Sequence, residues 1–272
     1  MSVHIDNTKK VTTQTFRQMK AAGEKISMLT SYDFTLASLV DAAGIDSILV
    51  GDSASNVVCG NNYTLPITLD EMIFLTKGVV RASKRALVVM DMPFGSYQIS
   101  EEDAVRNAVR AMKESGCDAV KIEGGKEWID TIAHIIKAGI PVMGHLGLTP
   151  QSVNQFGGYG LRAKEQAEAQ KLIDDALLLE QAGCFSIVLE KIPSQLAEKV
   201  ALEVEVPIIG IGAGANVDGQ VLVLQDMLGL NQGFKPKFLR HFANLAQPVT
   251  QAVEDYIEAV KAKTFPNETE SY

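Results

Sequence analysis

Positive charge is the first thing this chain is short of: across 272 residues, 25 Lys and Arg stand against 33 Asp and Glu, for a formal net charge of -8. Nucleic acid and anionic membrane surfaces are held by clustered Lys and Arg, so the deficit argues against both and points to small molecules and metal ions as partners. Cysteine is scarce as well. Cys59, Cys117 and Cys184 are odd in number, far apart and set among small or apolar residues, which predicts reduced thiols rather than a disulfide framework and hence a cytoplasmic protein. No apolar run approaches the ~18 residues of a membrane span. The polar stretch Met1 to Lys10 lacks the apolar centre of a secretory signal. Low-complexity segments and a composition break are missing too, so residues 1–272 are expected to form a single domain with an N-terminal helix and a C-terminal helical extension.

What the chain does have is a repeated junction. Thr12 to Ala22 has helical spacing and ends at Gly23; Asp-Ala-Ala-Gly44, Lys-Glu-Ser-Gly116, Ile-Lys-Ala-Gly139 and Glu-Gln-Ala-Gly183 close helical stretches in the same way, each followed by β-branched or aliphatic residues. A helix, a glycine and a strand in recurrence mark βα units. Strands are predicted at 25–30, 47–51, 86–91, 119–123, 141–146, 185–190 and 207–211, with a weaker eighth at 221–225. That number of units without a linker predicts a (β/α)8 TIM barrel rather than a doubly wound sheet. Two connections, Cys59 to Thr68 and Leu146 to Gly160, are long for βα loops and are expected to cover a site, or else to pad an interface between copies. Beyond Gln232, helices are predicted over 236–246 and 249–263, followed by a polar tail.

Four strands carry an acid at or just past their ends: Asp52, Asp91, Glu123 and Glu190. In a parallel barrel those ends share one rim. Asp52, Asp91 and Glu123 come from neighbouring strands, and an all-oxygen ligand set suits Mg²⁺ better than Zn²⁺, which favours His and Cys. The alternative is that each acid pairs with a nearby Lys or Arg or caps a helix. Lys121 lies two residues before Glu123, so strand alternation turns both to the same face, where the ammonium would meet the acids or an anionic substrate. Glu190, expected across the barrel from the three acids, stands where a general base would be wanted. His145 ends the fifth strand and could touch substrate, and Trp128 is expected to serve helix packing. Gly210-Ile-Gly-Ala-Gly-Ala215 resembles a dinucleotide turn, but it follows the seventh strand and lacks a clear helix after it, so a tight rim turn is the better reading.

Taken together, Val50-Gly-Asp-Ser53, Thr64-Leu-Pro-Ile-Thr68, Asp91-Met-Pro-Phe94, Val120-Lys-Ile-Glu-Gly-Gly125, Gly144-His-Leu-Gly-Leu-Thr-Pro-Gln151 and Gly210-Ile-Gly-Ala-Gly214 resemble the ketopantoate hydroxymethyltransferase family in order and spacing. The likeness extends from Phe16 to Phe265-Pro266. It implies a barrel of the phosphoenolpyruvate/pyruvate superfamily, a Mg²⁺ cofactor and a homodecamer. The implied reaction moves a hydroxymethyl group from 5,10-methylenetetrahydrofolate to 3-methyl-2-oxobutanoate through a Mg²⁺-stabilised enolate, giving 2-dehydropantoate for pantothenate biosynthesis. By motif match, Asp52, Asp91 and Glu123 form the metal site; Asp52, Ser53, Asp91 and Lys121 contact the oxoacid; Glu190 is the catalytic proton acceptor. The chain departs from the family pattern at Ala54-Ser55-Asn56, Gln225 and Glu270, none of which is a predicted metal or base residue. Three rival readings stand beside it: a C–C lyase or aldolase that needs no folate, a barrel that only senses metal or oxoacid, and a dinucleotide oxidoreductase.

Overall fold

The structure, a computed structural model, describes residues 9–233 and 235–272. His4 and most of the polar N-terminal stretch lie outside the described residues. The chain divides into two compact units, Met1–Leu222 and Val223–Tyr272.

The first unit is a closed barrel of eight parallel strands in sequence order: β1 (Ile26–Thr30), β2 (Ser47–Val50), β3 (Leu87–Asp91), β4 (Ala119–Glu123), β5 (Val142–Gly147), β6 (Ser186–Glu190), β7 (Ile208–Ile211) and β8 (Gly219–Leu222). The predicted bounds of β1 to β7 agree to within about one residue, as strand-end assignment allows. Each of the five predicted junction glycines, 23, 44, 116, 139 and 183, has a φ between 71° and 99°, the left-handed turn that stops a helix and releases the next strand. The eighth strand begins before the predicted 221–225. Gly219 is its first residue, and a Cβ there would lie 2.5 Å from the Ile26 carbonyl oxygen, so the closing β8–β1 pair requires the residue that reads in sequence as a strand breaker. Helix starts follow sequence chemistry as well: Thr68 and Glu71 form a reciprocal capping box ahead of the helix Leu69–Ala82.

The lower end of the barrel is closed by apolar side chains. Phe16 and Met19 of the helix Thr13–Ala22 join Met28, Leu49, Leu87, Val89, Met143, Val188 and Ile209 in one core cluster, and the Phe16 ring meets Phe185 edge to face at 5.8 Å. Three acids just ahead of β2, β4 and β8 tie down the beginnings of neighbouring strands. Asp46 accepts from the Ser27 N–H at 2.9 Å, Asp118 from Val88 at 2.8 Å and Asp218 from Ile208 at 2.8 Å. Each also pairs with a base: Arg85 at 2.9 Å, Lys10 at 2.8 Å and Lys20 at 2.9 Å respectively. These contacts lie at the end of the barrel that carries stability rather than chemistry.

The second unit contains a short helix, Leu224–Met227, and a long one, Ala246–Lys261. The helix predicted over 236–246 is not formed. The Phe242 N–H donates to Met227 O at 2.9 Å and the Leu245 N–H to Leu228 O at 3.0 Å, so donors that a helix would direct inward close a loop on the short helix instead. The segment predicted as helical over 249–263 starts earlier and ends at Lys261.

Candidate active site

Side-chain alternation takes the barrel interior from apolar at its base to ionisable at its C-terminal rim. Along β3 the inward series is Leu87, Val89, Asp91; along β4 it is Ala119, Lys121, Glu123; along β5 Met143 is followed by His145, and along β6 Val188 by Glu190. Register sets their heights. Asp91 pairs with Lys121 and Glu123 with His145 across adjacent strands. Asp52 and Ser53 belong to the turn after β2, reached through Gly51, where a Cβ would come within 2.8 Å of Ser53 Oγ and 3.5 Å of Asp91 Oδ2.

All of these except Ser53 and Glu190 are buried. The Lys121 ammonium lies 2.9 Å from Asp91 Oδ1 and 3.1 Å from His145 Nδ1. Asp91 Oδ2 accepts the Asp52 N–H at 3.0 Å. His145 Nδ1 is also 3.4 Å from Glu123 Oε1, and its Nε2 faces Glu190 Oε2 at 3.5 Å. Lysine has only protons to give, so Nδ1 accepts and the imidazole proton sits on Nε2, directed at Glu190. Ser53 Oγ shares a 2.8 Å hydrogen bond with Tyr32 OH.

The charges do not balance: three carboxylates surround one ammonium. Burial, followed by repulsion from Asp91 and Glu123, raises the Asp52 carboxyl well above its ordinary range. Burial likewise pushes Glu123 up to about 7, against the pull of Lys121. For Lys121 burial works against the charge, but Asp91, Glu123 and Asp52 outweigh it and the ammonium is held firmly charged. His145 is lowered by burial and by Lys121, which keeps it neutral.

The predicted site residues therefore lie at one rim, with two differences in detail. Glu190, on β6, is four strands from β2 and so across the barrel from Asp52, as expected; it also comes near Glu123 through His145, because β6 lies beside β5 and Glu190 stands one inward step above the His145 level. Lys191 does not pair with it: its backbone has φ 45° and its ammonium donates to Tyr159 O, while the helix Ser194–Glu203 starts without a side-chain cap. Nor do the three acids close on one point, since among the described residues no three His, Cys, Asp or Glu side chains are arranged to hold a metal ion. Trp128 sits in a short turn ahead of the helix Ile129–Lys137 and packs its ring edge to face on Tyr97 at 5.7 Å.

Gln151 had no role in the sequence reading, yet it joins the rim. It lies in the long loop after β5, in the turn Pro150–Ser152. Its backbone N–H donates to Glu123 Oε2 at 3.0 Å, and its amide Nε2 to Asp52 Oδ2 at 2.9 Å and Met92 O at 3.0 Å. The available signal was a glutamine directly after the Thr149-Pro150 turn in a glycine-bounded loop. The residues at Ala54-Ser55-Asn56 serve the other long loop: Ser55 Oγ donates to Tyr63 O at 2.7 Å and Asn56 Nδ2 to Asn61 O at 2.8 Å. The glycine turn after β7 leads into β8 and not into a helix, which removes the structural context of a dinucleotide site.

Comparison with known proteins identifies relatives along the whole chain. The chain is 63% identical over 267 residues to 3-methyl-2-oxobutanoate hydroxymethyltransferase of Bacteroides thetaiotaomicron, covering 98% of each protein. It is 58% identical over 272 residues to the protein of the same name from Flavobacterium johnsoniae, covering both completely. Its fold is similar to that of 2,3-dimethylmalate lyase, a PEP mutase/isocitrate lyase superfamily member, with a TM-score of 0.59 at 16% identity over 94% of this chain and 89% of that one. Residues 10–268 match the family described as Ketopantoate hydroxymethyltransferase, and with a sequence likeness that runs the length of the barrel and its rim, the chain belongs to that family.

Proposed function

We propose that the protein transfers a hydroxymethyl group from 5,10-methylenetetrahydrofolate to 3-methyl-2-oxobutanoate, forming 2-dehydropantoate for pantothenate biosynthesis. The observation that carries this reading is the near-full-length family match together with a buried cluster whose acids outnumber its one ammonium. A divalent cation with oxygen ligands fits that excess, and Glu123 Oε1 is a buried oxygen without a hydrogen-bond partner. Asp52 and Asp91 are the residues that would hold Mg²⁺, with Glu123 beside them, since Mg²⁺ commonly takes one or two protein carboxylates and completes its shell with water and substrate oxygens. Bound there, Mg²⁺ supplies an electrophile that draws electron density from the oxoacid oxygens.

The remaining work falls to the chain. Ser53 and Lys121 bind and orient the oxoacid, with Lys121 placing its fixed positive charge where a carboxylate or an ionising ketone would lie. Glu190 accepts the C3 proton, with His145 Nε2 3.5 Å from its Oε2 as its polar neighbour on the rim. One of the two folate C–N bonds to the bridging methylene breaks as C3 bonds to that carbon, and water then displaces the second folate nitrogen, leaving the hydroxymethyl group and free tetrahydrofolate. The loops after β2 and β5 limit the access of bulk water.

The protein works as a homo-oligomer, a homodecamer in the family pattern. Phe34, Leu39 and Phe74 are exposed large apolar residues on two helices that pack against each other, which suits a buried contact between copies. It is a cytoplasmic enzyme; no helix among the described residues is long and apolar enough to cross a membrane. The deciding experiment measures 2-dehydropantoate formed from 3-methyl-2-oxobutanoate with and without methylenetetrahydrofolate and Mg²⁺. Product that needs both is expected, and turnover of the oxoacid without folate would point to a lyase.

A further inference from the structure

We propose that Gln151 is a positioning residue that sets the two outer carboxylates of the rim, holding one oxygen each of Asp52 and Glu123 so that their other oxygens face the substrate and cation. The inference rests on the proposed function. Gln151 is 7% exposed, and its side-chain amide is fully used. Oε1 accepts from Tyr97 OH at 2.9 Å and from Gln98 Nε2 at 3.2 Å, while Nε2 donates to Asp52 Oδ2 and Met92 O. A rotated amide would set two donors together at Gln98 and two acceptors together at Met92, so only one orientation satisfies the site.

That orientation is imposed from outside the rim. Gln98 Oε1 accepts the Gly95 N–H at 2.7 Å, which fixes its own amide with Nε2 toward Gln151. Tyr97 is held by Trp128, and its hydroxyl also lies 3.2 Å from Glu123 O. The loops after β3 and β5 thus meet at one residue, which reaches the end of β2 with its side chain and the end of β4 with its backbone N–H. A donor on Asp52 Oδ2 favours its ionised form, and the backbone N–H does the same for Glu123 Oε2. What remains unspent is Glu123 Oε1, buried and without a hydrogen-bond partner. A residue serving only the fold has no need to divide two carboxylates in this way, one by its amide side chain and the other by its backbone N–H. Groups that orient metal ligands typically change metal affinity by ~10- to 100-fold when removed.

The test is Mg²⁺ binding by calorimetry in the presence of 3-methyl-2-oxobutanoate, with thermal melting and steady-state kinetics on the same samples. Gln151→Met keeps the volume and removes every side-chain hydrogen bond; Mg²⁺ binding ~10-fold or more weaker per folded molecule is expected, with a matching loss in kcat. Tyr97→Phe removes only the hydroxyl that orients Oε1 and should weaken Mg²⁺ binding in the same direction by less, which decides the matter should the Met variant not fold. A folded Gln151→Met protein, or in its absence a folded Tyr97→Phe protein, that binds Mg²⁺ as the wild type does while melting at lower temperature would overturn the positioning role and leave a structural one. Wild-type protein that binds no Mg²⁺ would overturn the functional reading instead.

Discussion

Lys121 and Asp91 form an ion pair of 2.9 Å with 4% and 3% of their side chains exposed, on adjacent strands and at the same level of the barrel. Such a pair is costly to break from one side, because the surviving charge stays buried. Here the survivor would also sit beside Asp52 and Glu123.

Lys121→Met should therefore destabilise the metal-free protein by ~3 to 5 kcal/mol and abolish oxoacid binding. Urea denaturation measures the first and calorimetry the second. Added Mg²⁺ should restore part of the stability by replacing the lost positive charge. An unchanged urea midpoint would mean that the ammonium does not compensate the acids.

The opposite end of the barrel makes the contrasting case. Asp118 accepts the Val88 N–H and pairs with Lys10, remote from the rim. Asp118→Ala should cost ~1 to 3 kcal/mol, the usual price of a buried donor left unsatisfied, and leave kcat per folded molecule unchanged. A fall in kcat without a fall in stability would show coupling from base to rim.

Much of the barrel could be read before any coordinates, for particular reasons. The five junction glycines mark helix ends because few other residues take their left-handed backbone, and the Lys121-x-Glu123 spacing fixes a shared face because a strand alternates without exception. Gln151 escaped because no periodicity says where a long loop returns. Asp46, Asp118 and Asp218 precede their strands by a single position, a signal present in the sequence but drowned by the acids at the other ends. The segment 236–246 has helical composition, yet the N–H groups of Phe242 and Leu245 bond to residues 227 and 228, a choice made by chain reversal and not by local preference.

Asp41 gives the protein part of its acid sensitivity. Burial alone would raise its carboxyl, but the N–H groups of Ala86, Lys84 and Arg85 donate to it and hold it below the ordinary 3.8. A carboxyl depressed by folding contributes stability that is complete above its unfolded value and is lost as pH falls through the folded one. Asp41→Asn should be less stable than wild type at neutral pH, and the gap should narrow as pH drops below 3.8. Denaturation curves across that range measure it; a gap independent of pH would assign the loss to altered packing.

Glu190 carries the central claim, that this rim catalyses proton removal and does not merely bind an oxoacid. Glu190→Gln keeps volume and hydrogen bonding but cannot accept a proton, so Mg²⁺ and 3-methyl-2-oxobutanoate should still bind. Exchange of the C3 proton with deuterated water, followed by NMR, isolates the step without folate. Wild-type protein should catalyse this exchange, and the variant should lose ~10² to 10⁴ of the rate, the usual worth of a general base. Exchange at near wild-type rate by folded Glu190→Gln protein would contradict the assignment and move the base elsewhere on the rim, with His145 the next group in line.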